Sequence, residues 1–159
     1  TLMGGILASF IIGQFQGLLG KALALAAFIP IVTGMGGNNG NQASTIVVRG
    51  IATERIISGG TLKILFKEIR VGLLLGMICG GILGIVVHIY YSKESWILGL
   101  VVGMSICASM LIAATVGTIG PLLLKRLDID PAIATGPFVS TSVDIIGVLI
   151  YFTIATLML

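Results

Sequence analysis

Charged residues divide the chain into apolar segments separated by short polar connections. Each segment has at least the roughly 20 residues that a helix needs to cross a bilayer. Such segments are typical of an all-α integral membrane protein with five transmembrane helices. The five predicted spans cover residues 1–20, 22–48, 71–91, 95–124 and 131–159.

The polar connections predict the orientation of these spans. Residues 49–70 form the one substantial connection, and Ile64, Leu65, Glu68 and Ile69 within it fit an amphipathic helix at the membrane interface. The connections after spans two and four hold seven Lys and Arg together, whereas those after spans one and three hold only one each. Because basic loops stay in the cytoplasm, the N-terminus should be cytoplasmic and the C-terminus external.

Two spans contain residues that disfavour a straight helix. Pro30 and a cluster of glycine and asparagine follow each other in span two, so we expect this span to be bent or partly unwound. Span four is long enough to tilt, or to break near Gly117, Gly120 and Pro121. In span three, by contrast, glycine recurs at every fourth position and predicts close packing against a neighbouring helix. These glycines are Gly72, Gly76, Gly80 and Gly84.

Composition agrees with a membrane protein. The chain is 57% hydrophobic and 9% charged, whereas about a quarter of the residues in soluble domains are charged. Its net charge of +3 comes from basic residues between the spans, which indicates orientation signals and no nucleic-acid partner. No basic segment precedes the first apolar run, so we expect a piece of a longer chain and not a signal peptide.

Asp144 is the only charged residue in the last span. A carboxylate near the bilayer centre costs about 2.5–3.5 kcal/mol on insertion scales, so it is rarely kept without a partner or a task. If Pro131 occupies the first turn, with Asp130 as N-cap, Asp144 lies roughly 20 Å along the helix. Gly136, Ser140 and Asp144 then share one helical face, and Thr141 lies beside it.

The polar half of span two should lie at a similar depth, which brings Asn38 and Asn41 near this face. Oxygen ligands suit hard cations such as magnesium, calcium or manganese. One carboxylate per chain leaves a divalent ion half neutralised, and a homodimer with two Asp144 residues across its axis would match the charge. Magnesium keeps several waters and is usually held by one or two carboxylates, so a hydrated magnesium ion fits best.

Two long segments resemble a known family. MGGNNGNQASTIVVRGIAT (35–53) and DPAIATGPFVSTSVDIIGVLIYF (130–152) resemble the transmembrane domain of MgtE-type magnesium channels, and the likeness covers essentially the whole chain. It implies a homodimeric magnesium-selective channel in the cell (inner) membrane, with the pore at the dimer interface between spans two and five. The metal-site residues implied are Asp144, Ser140, Thr141, Gly136, Asn38 and Asn41.

The family pattern also concerns the ends of the pore and the rest of the chain. The resemblance implies that a backbone carbonyl faces the ion at Ser140, while Gly136 stands where some members carry asparagine. Family members usually precede this domain with cytosolic magnesium-sensing domains, including a CBS pair. Such domains are absent from the 159 residues.

Other interpretations remain open. A secondary transporter that couples a divalent ion to protons or sodium would need a further titratable relay or an inverted repeat, and we find only Asp144. For an intramembrane serine protease, Ser105 lacks the second glycine of a nucleophile elbow and the only histidine is His88. Asp144 as a structural hydrogen-bonding group, and the asparagines as helix packing, are the alternatives to an ion pathway.

Overall fold

The computed structural model describes residues 2–54, 61–91, 96–134 and 136–159, and all its regular elements are helical. Three of the described helices, α4, α5 and α6, are long and apolar enough to cross a membrane. The chain is therefore a helical membrane protein. The helices are α1 (Leu2–Gln14), α2 (Gln16–Lys21), α3 (Ala24–Ala52), α4 (Thr61–Tyr90), α5 (Trp96–Arg126) and α6 (Pro137–Met158), with a short 3-10 helix at Pro131–Ala134.

The first apolar run is not one continuous helix. It is divided at Phe15 into α1, of 13 residues, and α2, of 6 residues. At 1.5 Å per residue α1 is only about 20 Å long, whereas the hydrocarbon core is about 30 Å thick. Since α1 is this short and α3 carries the polar cluster, the arrangement of five spans stays a prediction.

Neither the unwinding considered for α3 nor the break considered for α5 is present. α3 runs unbroken for 29 residues through Pro30 and the glycine and asparagine cluster, and α5 runs for 31 residues through Pro121. Proline removes one helical hydrogen bond, but neighbouring helices can hold the flanking turns in place. Here α3 and α5 pack directly on each other, and the backbones of Gly40 and Gly117 meet.

The amphipathic segment is helical, but it does not form a separate interfacial helix. Residues 64–69 belong to the first turns of α4, which continues without a break to Tyr90. No glycine or proline lies between Thr61 and Val71 to end the helix. Glu68 is consequently carried into the helix packing, where it is only 4% exposed.

The glycine stripe of α4 packs as predicted. A Cβ atom added to Gly76 would lie 2.9 Å from Cα of Cys107, and one added to Gly84 would lie 2.9 Å from the carbonyl oxygen of Gly99. The backbones of α4 and α5 are therefore in direct contact along this stripe. On its other sides α5 packs against α3 and α6.

Aromatic residues pack the C-terminal part of α6 against the N-terminal part of the chain. Phe152 stacks on Phe15 with ring centroids 4.7 Å apart. The Tyr151 hydroxyl is buried and donates a hydrogen bond of 2.9 Å to the carbonyl oxygen of Leu25. These contacts hold α6 beside α3, so that residues on the facing sides of the two helices meet.

Candidate functional site

The helix that carries Asp144 begins later than predicted. Asp130 accepts a hydrogen bond of 2.9 Å from the Ala132 backbone N–H, so it caps the 3-10 helix. Gly136 then adopts a φ of 73°, a left-handed conformation suited to glycine, and Pro137 opens α6. Asp144 consequently lies about 10 Å along α6. The expected single helix from Pro131 is wrong, because a separate 3-10 helix and the left-handed Gly136 precede α6.

The carboxylate of Asp144 lies against the backbone of α3. A Cβ atom at Gly37 would be 3.5 Å from Oδ1 of Asp144. Glycine at this position leaves the carboxylate beside bare backbone, and Asp144 itself is half-buried. Across the described residues no group of three or more His, Cys, Asp or Glu side chains gathers to hold a metal ion.

A second contact between α3 and α6 lies one helical turn away. Nδ2 of Asn41 donates a hydrogen bond of 2.8 Å to Oγ of Ser140. Because the helices are antiparallel, Gly37 faces Asp144 and Asn41 faces Ser140 on successive turns. Oδ1 of Asn41 is buried and has no hydrogen-bond partner among the described residues. A buried amide oxygen without a donor is a suitable ligand for a hard cation or its water.

The other predicted site residues are spread around this pair of contacts. Gly136 is at the start of α6, where its carbonyl oxygen accepts a hydrogen bond of 2.9 Å from the Ser140 N–H. Thr141 faces α1, with its side chain against Gly4. Asn38 is exposed. The structure thus pairs Asn41 with Ser140 and places Asp144 beside Gly37 on the adjacent turn, whereas the Thr141 side chain packs against α1.

Neighbouring asparagines have different tasks. Asn39 is 4% exposed and its Nδ2 donates a hydrogen bond of 2.7 Å to the carbonyl oxygen of Met110 on α5. This is the helix packing role that the sequence left open. Asn39 points in a different direction from Asn38 and Asn41, because successive residues point about 100° apart around a helix.

We predict that Ser140→Ala destabilises the contact between α3 and α6. The substitution leaves Nδ2 of Asn41 without its partner, and the half-buried position suggests a loss of about 1 kcal/mol, at the low end for an unpaired buried donor. Thermal unfolding of the detergent-solubilised protein would measure the effect. Thr153→Val is the control, because the exposed Thr153 hydroxyl bonds only to Leu149 of its own helix. Equal unfolding temperatures for parent, Ser140→Ala and control would contradict the prediction.

Known proteins match this chain over the same segments. Residues 29–154 match the family model MgtE, described as a divalent cation transporter. The chain is 38% identical over 152 residues to a magnesium transporter MgtE from Bacillus subtilis. It is 37% identical over 158 residues to the MgtE of Thermus thermophilus, and 33% identical over 153 residues to that of Enterococcus faecalis.

The matches include nearly all of this chain, but only part of each relative. They cover 96% of this chain and 33% of the Bacillus protein, and 99% of this chain and 34% of the Thermus protein. The chain spans about a third of the length of these relatives. The matched region contains most of α3 and most of α6, the two helices that meet at Asp144. This chain belongs to the MgtE family of divalent cation transporters.

Proposed function

We propose that this chain forms the pore domain of a magnesium channel, in which magnesium passes down its electrochemical gradient through a pore at the dimer interface, lined by α3 and α6 of both copies. The observation that carries the proposal is the position of the Asp144 carboxylate. It lies beside the bare backbone of Gly37, one turn from the unpartnered Oδ1 of Asn41. The relatives are magnesium transporters by name, which supports magnesium as the ion.

The donors suit a hydrated ion. Asp144 supplies one carboxylate, while Asn41 and Ser140 supply neutral oxygens one turn away. Magnesium dehydrates reluctantly and usually retains several waters, so it needs few protein ligands. In the proposed site Asp144 attracts the ion, and the Asn41 and Ser140 oxygens contact it or its water shell. Of the other predicted residues, the exposed Asn38 would line the passage on its cytoplasmic side, whereas the Thr141 side chain packs against α1.

The proposed pore is formed by two copies of the chain. A single Asp144 carboxylate neutralises half of the charge of a divalent ion, whereas two carboxylates across a two-fold axis neutralise it. A two-fold axis between identical chains is also the commonest symmetry of soluble oligomers. Asp144 is half-buried in a single copy, and the partner would cover its exposed part.

The proposed orientation follows the basic residues. Arg49 is in the last turn of α3, Lys63 and Lys67 are in the first turns of α4, and Lys125 and Arg126 end α5. Because α3, α4 and α5 alternate in direction, these residues belong to one end of the bundle, which we assign to the cytoplasm. The cytosolic magnesium-sensing domains implied by the resemblance would contact this end.

Flux into liposomes tests the proposal. Purified protein is reconstituted into vesicles with a magnesium gradient and no proton or sodium gradient, and uptake is followed with an internal magnesium dye. We expect uptake, and a reversal potential that follows the magnesium gradient alone. A reversal potential that shifts with the proton or sodium gradient at fixed magnesium would instead indicate the coupled transporter. Absence of uptake would contradict a self-sufficient pore.

A further inference from the structure

One hydroxyl group of α5 differs from its neighbours. Three of the four serine and threonine side chains of this helix donate a hydrogen bond of 2.6 to 2.9 Å to the carbonyl oxygen four residues earlier. These three are Ser105, Thr115 and Thr118. Ser109 is the fourth, and its Oγ is buried without a hydrogen-bond partner among the described residues. Its side chain is 2% exposed, so its hydroxyl points away from its own backbone into the protein.

The Ser109 hydroxyl lies where α3, α5 and α6 meet. A Cβ atom at Gly36 of α3 would be 2.6 Å from Ser109 Oγ, and one at Gly147 of α6 would be 3.1 Å from it. At Gly147 no other atom of the described residues, apart from the local backbone, lies within 4 Å of that position. Two glycines from different helices therefore leave room for one hydroxyl, and at Gly147 that hydroxyl alone sets the closest approach.

The same two glycines adjoin the candidate site. Gly36 immediately precedes Gly37, which contacts Asp144, and Gly147 follows Asp144 by almost one helical turn. Ser109 on α5 thus contacts the turns of α3 and α6 that determine the position of the Asp144 carboxylate. Interiors are close-packed, so a change of volume in this junction must shift a helix or open a gap.

We propose that Ser109 is a positioning residue, which sets the separation of α3 and α6 and thereby the place of the Asp144 carboxylate in the pore. The inference rests on the proposed function. Magnesium demands a nearly ideal octahedral shell at 2.0–2.1 Å, whereas calcium accepts six to eight irregular ligands at about 2.3–2.6 Å. A displaced carboxylate should consequently reduce discrimination against calcium more than it reduces conduction.

A double-mutant cycle between Ser109 and Gly147 tests this role. In Gly147→Ala the new methyl group meets Ser109 Oγ, and in Gly147→Ala with Ser109→Ala the obstructing atom is gone. We expect Gly147→Ala to lower the ratio of magnesium to calcium uptake in liposomes by about threefold or more, a size typical of the energetic coupling between residues in contact. The double variant should recover most of the parent ratio. Gly81→Ala is the control, since a Cβ atom there meets open space.

Ser109→Ala alone provides a variant without a clash. It removes the oxygen that separates the helices, so the ratio should fall although nothing is forced apart. Unchanged ratios in both single variants, or a loss of thermal stability with an unchanged ratio, would overturn the positioning role.

If Gly147→Ala does not fold, restored folding and a restored ratio in the double variant support the contact. A parent protein that takes up no magnesium would overturn the proposed function and this inference together, whereas parent uptake with insensitive ratios overturns this inference alone.

Discussion

Asp144→Asn should reduce magnesium uptake by about 100-fold or more while the protein still folds. A unit charge about 4 Å from a carboxylate gains about 4 kcal/mol at an effective dielectric constant near 20. Losing even about 2.8 kcal/mol of this attraction weakens ion binding roughly 100-fold. In the proposed dimer both carboxylates are lost at once. Asparagine has the same shape as aspartate, so the contact with Gly37 is retained.

The matched control is Asp128→Asn. Asp128 is exposed after the end of α5 and has a φ of 55°, a conformation that asparagine tolerates well. This variant makes the same chemical change outside the predicted spans, and its uptake should equal that of the parent. Equal uptake by Asp144→Asn and Asp128→Asn, with both proteins folded, would show that Asp144 is not the ion site.

Gly117→Ala should strongly destabilise the protein. A Cβ atom at Gly117 would collide with the backbone of Gly40, including its carbonyl oxygen, and helix backbone cannot swing aside as a side chain can. Overpacking a close contact costs about 1–3 kcal/mol and sometimes more. The collision separates α3 from α5, and α3 carries the site residues Gly37 and Asn41. We expect a lower unfolding temperature in detergent and reduced magnesium uptake.

Gly120→Ala separates this collision from the general effect of replacing a helical glycine. Gly120 lies in the same helix, and a Cβ atom there meets no atom within 4 Å. Alanine favours a helix by about 1 kcal/mol over glycine, so Gly120→Ala should be as stable as the parent or more stable. If Gly117→Ala unfolds at the same temperature as Gly120→Ala, the contact between α3 and α5 does not limit stability.

Several features were predictable because they depend on composition and local spacing. Apolar runs indicate membrane helices whatever their neighbours are. The regular glycines of α4 predict a close helix contact, which the approach of Gly76 to Cys107 confirms. Asp144 stands out as an isolated charge in an apolar span. Two long segments, around Asn41 and Asp144, were also enough to indicate the family that the comparison confirms.

Features that depend on neighbouring helices were not predictable from local sequence. Pro30 and the glycine cluster suggest a bent or partly unwound helix, yet α3 is continuous and α5 and α6 pack on its glycine faces. The start of α6 moved from Pro131 to Pro137, since Asp130 caps a short 3-10 helix. A proline and a capping residue are compatible with either start, and the path of the chain decides between them.

The sequence by itself determined that this is a helical membrane protein with an isolated carboxylate, Asp144, in its last apolar run, because burial in lipid constrains every residue of such a run. Only the tertiary structure decided which polar groups meet. Asn38, Asn39 and Asn41 are equivalent in composition, but only Asn41 reaches Ser140, while Asn39 binds α5. In the sequence Ser109 is one more small residue, and only the structure shows that it lies between Gly36 and Gly147. The direction of a side chain follows from helical phase and from its neighbours, and neighbours from distant parts of a chain exist only after folding.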